Sequence, residues 1–118
     1  MNLDRTPAQT AAEAAAGIRA LNHRTLQQGE GWQYPGDAYN VVGNLSEAVS
    51  GLPQAIEQIT RLITDLSETG HLRSDKGTLD GDLAAVLDGL DAARHATHQV
   101  GKALRQAHAG LGPLGYRG

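Results

Sequence analysis

Apolar residues recur along this chain at steps of three and four, with no stretch of period-two alternation, so the pattern predicts helices and no strands. The longest series is Val41, Val42, Leu45, Ala48, Val49, Leu52, Ala55, Ile56, Ile59, Leu62, Ile63 and Leu66, which predicts a helix over 36–69. Pro53 lies inside it. A proline there removes the bond to the Val49 carbonyl and crowds it, at about 3 kcal/mol. Because the register passes Gly51-Leu52-Pro53 without a slip, the expectation is one kinked helix, with Gly51 easing the bend.

A second series is Leu83, Val86, Leu90, Ala93, Thr97, Val100, Leu104, Ala107 and Leu111, with Leu87 beside it. It predicts a helix over 79–109 that opens on the acidic Asp80 and Asp82, as the helix dipole favours. A first helix is predicted over 7–28. Thr6 caps it, Pro7 takes the first helical position and Gln9 completes a capping box; Gly29 and Gly31 stop it. Alanines 11, 12, 14, 15, 16 and 20 dominate this helix, with Ile18, Leu21 and Leu26 for bulk. Residues 67–77 are polar, with Gly70 and Gly77, and read as a loop. Glycines 110, 112 and 115 with Pro113 make residues 111–118 a flexible tail after one helical domain, 1–110.

The predicted fold is all-α, a three-helix bundle built on an antiparallel hairpin roughly 45–50 Å long at about 1.5 Å per residue. The first helix is expected alongside half of that hairpin. The uncovered length is the place for a second copy, so a homodimer is expected. Leu52→Ala or Ile59→Ala is expected to leave a cavity costing about 2–5 kcal/mol.

Composition narrows the function classes. The chain has 118 residues and a net charge of −3, which does not suit a dedicated nucleic-acid binder. Residues 37–82 carry three basic and eight acidic groups, and residues 83–118 carry four basic and two acidic ones, a gradient that suits contact with a protein partner or a second copy. There is no cysteine, hence no disulfide, thiolate metal site or cysteine nucleophile. No apolar run approaches the ~20 residues that span a bilayer, and Met1–Arg5 does not open a signal sequence. A cytoplasmic protein without cofactor is the expectation.

Three of the four aromatic residues, Trp32, Tyr34 and Tyr39, fall in one joint between the first two predicted helices. Such rings either lock the helix ends or offer a docking hot spot to a partner. They are the candidate partner-binding residues. Asp88, Asp91, His95 and His98 recur at three and four on the last helix, a spacing that can ligate zinc, with Asp91, His95 and His98 as the tightest set. The same stripe runs on into Lys102 and Arg105, the acid-early, base-late order of a solvated face. Neither a phosphate loop nor a Gly-x-Ser-x-Gly elbow occurs. Arg94, Lys102, Arg105 and Arg117 form a weak phosphate footprint without interleaved aromatics.

The strings Ile18-Arg19-Ala20-Leu21-Asn22-His23-Arg24-Thr25, Tyr34-Pro35-Gly36-Asp37-Ala38-Tyr39 and Leu52-Pro53-Gln54-Ala55-Ile56-Glu57-Gln58 resemble a family of small helical proteins of Streptomyces and related actinobacteria. Some of that family accompany plasmids and integrating mobile elements. The resemblance covers most of residues 16–66 and implies no catalytic residue or ligand. The function expected from residues and resemblance together is a non-catalytic helical module for protein–protein assembly, serving a mobile element or a regulatory complex. A small metal-dependent enzyme using the Asp88/Asp91/His95/His98 stripe and a nucleic-acid-associated accessory factor are the alternatives.

Overall fold

The computed structural model describes residues 4–118; the reading of the chain start as no signal sequence falls partly on 1–3, outside the described residues. Four helices follow in order: α1 (Pro7–Arg24), α2 (Pro35–Ser50), α3 (Leu52–Glu68) and α4 (Leu79–Leu111). Among the described residues there is no strand, only an isolated antiparallel bridge between Gly29 and Trp32.

The start of α1 is the expected capping box. The Gln9 N–H donates to the Thr6 hydroxyl at 3.2 Å, and the Thr6 N–H donates to the Gln9 carboxamide at 2.9 Å. The helix ends at Arg24 rather than 28: Thr25 leaves the helical region (φ −102°, ψ 7°), and its hydroxyl donates to the Leu21 carbonyl at 2.9 Å. At the far end of the chain, α4 runs to Leu111 rather than 109.

Helices α2 and α3 form one rod interrupted at a single residue. Gly51 keeps a right-handed helical backbone (φ −84°, ψ −15°), and its carbonyl still accepts from the Ala55 N–H at 3.3 Å. Pro53 has no N–H to give Val49, so the ladder skips there, yet both halves pack on α4. The rod then turns back through a glycine cap. Gly70 at φ 72° lets the His71 N–H reach the Leu66 carbonyl at 2.8 Å and the Gly70 N–H reach Ser67 at 3.2 Å. On the other side of the loop the Asp82 carboxylate accepts from the hydroxyls of Thr78 and Ser74, which ties the loop to the first turn of α4.

Small residues let the two rods approach closely. A Cβ on Gly43 would lie 2.8 Å from the His108 ring, and one on Gly101 would lie 3.8 Å from Val49. The buried residues among those described are Ser46, Pro53 and Gly101, all on the line where α2–α3 meets α4.

Two expectations are corrected here. Helix α1 does not lie alongside the hairpin: among the described residues its Cα atoms nowhere come within 8 Å of α2, α3 or α4. Its Ala-rich face has too little bulk to hold a neighbour. Leu52 and Ile59 do not fill a core either, and no apolar side chain other than the Pro53 ring is buried among the described residues. The consequence shows in the size of the molecule. Its radius of gyration is 19.0 Å, against about 13.5 Å for a compact chain of this length. It exposes 9215 Å², where a compact monomer of this mass would expose about 6,100 Å².

Gly101→Leu is expected to wedge α4 away from Val49 and lower stability by about 1–3 kcal/mol in equilibrium denaturation.

Candidate interaction surface

Each rod of the hairpin carries more apolar surface than its neighbour covers. On α3 the residues turned toward α4 are Pro53, Ile56, Thr60, Ile63 and Ser67, half-buried or better, while Leu52, Ile59 and Leu62 stand 43%, 49% and 58% exposed. On α4 the covered series is Leu87, Arg94, Gly101 and His108, with Leu90, Leu104 and Leu111 at its edge. One position further round, Val86 and Val100 are 46% and 48% exposed, and Ala93 and Ala107 are exposed with them.

Polar contacts fix which sides of the two rods face the same way. Arg105 donates to the Ser50 hydroxyl at 3.4 Å, and Arg94 pairs with Glu57 at 3.9 Å. Arg105, Ser50 and Glu57 lie on the rim one step beyond the packed line, and Arg94 reaches that rim from the line itself, so one side of the hairpin is polar on both rods. By helical geometry the opposite rims also share a side. That side carries Leu45, Leu52, Ile59 and Leu66 from α2–α3, and Val86, Ala93, Val100 and Ala107 from α4, each set repeating every seven residues. The result is one apolar face, two helices wide and about 32 Å long at 1.5 Å per residue.

The aromatic joint closes the end of the hairpin away from the loop. Glu30 and Gly31 (φ 77°) form a tight turn, with Gly29 and Trp32 exchanging N–H···O bonds of 3.1 and 2.9 Å. Tyr39 stacks on His108 at 4.0 Å between ring centres, joining α2 to α4. Tyr34 meets Tyr116 edge-on at 5.2 Å, which brings the segment after α4 back to the start of α2. Trp32 is half-buried over a shallow depression of about 200 Å³ shared with Gln28, Gln33, Tyr34 and Ala38. That is smaller than the roughly 300–1,000 Å³ of small-molecule pockets. Asp37 fastens the joint: one carboxylate oxygen accepts from the Gln33 and Tyr34 N–H groups, both at 3.0 Å. These two bonds hold its pKa below the ordinary value.

The Asp88/Asp91/His95/His98 stripe lies on the polar side of α4. Asp91 is engaged by Arg94 at 3.2 Å, and His95 Nδ1 lies 2.8 Å from the Asp91 carbonyl, so these groups satisfy one another along the helix. Among the described residues no three carboxylate or imidazole groups converge where an ion could sit. Two of the four basic residues in the phosphate footprint, Arg94 and Arg105, are spent on contacts across the hairpin. Among the described residues no helix is long and apolar enough to cross a membrane. The width of the apolar stripe was visible in the sequence; which half of it the hairpin covers was not, because periodicity does not name the neighbour. No family model, curated protein or solved structure matches the chain.

His95→Ala and His98→Ala are each expected to change stability by less than about 0.5 kcal/mol in chemical denaturation, as for other surface positions. Asp37, whose folded pKa is depressed, stabilises the joint at neutral pH. That contribution is lost as pH falls through its folded value. Asp37→Asn is therefore expected to be less stable than wild type at neutral pH, the two converging in acid denaturation.

Proposed function

We propose that the chain is a non-catalytic assembly module, whose hairpin presents its open apolar face to another protein surface. The observation that carries this reading is that no apolar side chain other than the Pro53 ring is buried among the described residues, beside a continuous face of half-exposed leucine, isoleucine and valine. Exposed apolar patches of this extent on single chains mark interaction sites. The excess over a compact monomer is about 3,000 Å². Stable interfaces remove about 600–1,000 Å² from each partner, and obligate ones more. In this reading Trp32, Tyr34 and Tyr39 close the end of the hairpin and set where the face begins, and α1 is a second, already helical segment open to a partner. Service to a mobile element remains part of the proposal only through the resemblance of residues 16–66.

The test is the mass of the native assembly. Protein taken from its own cells under gentle conditions is expected to run well above the 12.4 kDa of one chain. Ile59→Asp should release it, and His95→Ala should not. A wild-type protein that runs as one chain, indistinguishable from Ile59→Asp, contradicts the proposal.

A further inference from the structure

The face has a property that selects its occupant. Val49 against Gly101 and Glu57 against Arg94 fix the relative heights of the two rods. At those heights Leu45 lies level with Ala107, Leu52 with Val100, Ile59 with Ala93, and Leu66 with Val86. Every layer thus sets a large residue on α2–α3 beside a smaller one on α4. Of the flanking positions, Gly89, Ala96 and Ala103 on α4 and Ala48 and Ala55 on α2–α3 are small, and Leu62 alone adds height, on the α3 side. A flat helical partner would leave voids over α4 or clash over α3.

Resting on the assembly reading, we propose that the occupant is a second copy of this chain, related by a twofold axis parallel to the helices. The α2–α3 rod of each copy then lies over α4 of the other. In each layer the large residue faces the small one across the interface, and all neighbouring helices run antiparallel, as in a four-helix bundle. The other face-to-face arrangement, with the axis across the helices, stacks α3 on α3 and α4 on α4. It sets large on large and small on small, and so demands two different helix separations within one bundle. The chosen arrangement demands one, within the usual 8–10 Å. It also places both 69–78 loops at the same end of the dimer. The area suffices for a stable interface: a face two helices wide and about 32 Å long presents roughly 600 Å² in projection, within the about 600–1,000 Å² per chain that such interfaces bury.

The chain has no cysteine, so Asp75→Cys in the exposed loop carries one spin label per copy. Sedimentation equilibrium of the labelled protein is expected to give twice 12.4 kDa. Double electron–electron resonance is expected to give an inter-label distance of about 20–35 Å, the diagonal of the bundle plus the label arms. A dimer with labels about 50 Å apart or more, the length of α4, overturns this arrangement and leaves the assembly reading standing. A single-chain mass from micromolar to submillimolar concentration overturns self-association. The native mass in the cell then decides separately whether a different protein takes the face. Ile59→Asp is expected to be monomeric with helical circular dichroism retained, and Ile59→Ala to weaken the dimer at least tenfold. A dimer of unchanged affinity in both variants also overturns the proposal.

Discussion

Two helices joined by one loop can hide only the stripe along which they touch. Everything distinctive about this molecule follows from its having more apolar stripe than that. Both α2–α3 and α4 carry apolar residues over a band wide enough for two neighbours, and the hairpin supplies one. The polar side is finished: Arg94, Asp91, Glu57, Arg105 and Ser50 meet there in pairs that involve both rods. The apolar side is not finished, and Leu52, Ile59, Leu62, Val86 and Val100 remain half in water. With so little apolar area removed from solvent, the hydrophobic term that offsets chain entropy is small for the lone chain.

Close approach of the rods is the chain's answer within one molecule. Gly43, Ser46 and Gly101 replace bulk by backbone proximity, and Pro53, costly in most helices, lies buried on the contact line. The skipped bond at Val49 is tolerated because Gly51 keeps its helical backbone. Glycine caps at Gly70 and the carboxylate of Asp82 then make the return loop short and tied at both ends. Such contacts fix the geometry of the hairpin without giving it a core.

Much of this was legible in the residues themselves. The Thr6/Gln9 box, the register across Pro53, the hairpin and the polar nature of the Asp88–His98 stripe all follow from local chemistry and period. What was not legible is tertiary. Nothing in the alanines of α1 says which surface they meet, and in the molecule they meet none of the other helices. The stack of Tyr39 on His108 joins residues far apart in the chain and leaves no local trace. Leu52 and Ile59 belong to a perfect seam, and a seam predicts burial only once the covering element is known. The aromatic joint drew attention as the rarest feature of the composition, while the wider surface lay in ordinary leucines, isoleucines, valines and alanines.

If the missing core lies between molecules, folding and association are one equilibrium, and stability must depend on concentration. Thermal unfolding of the purified chain followed over a hundredfold range of protein concentration tests this most directly. The account predicts a midpoint that climbs steadily as the protein is concentrated. A sharp, reversible transition at the same temperature throughout that range would contradict it.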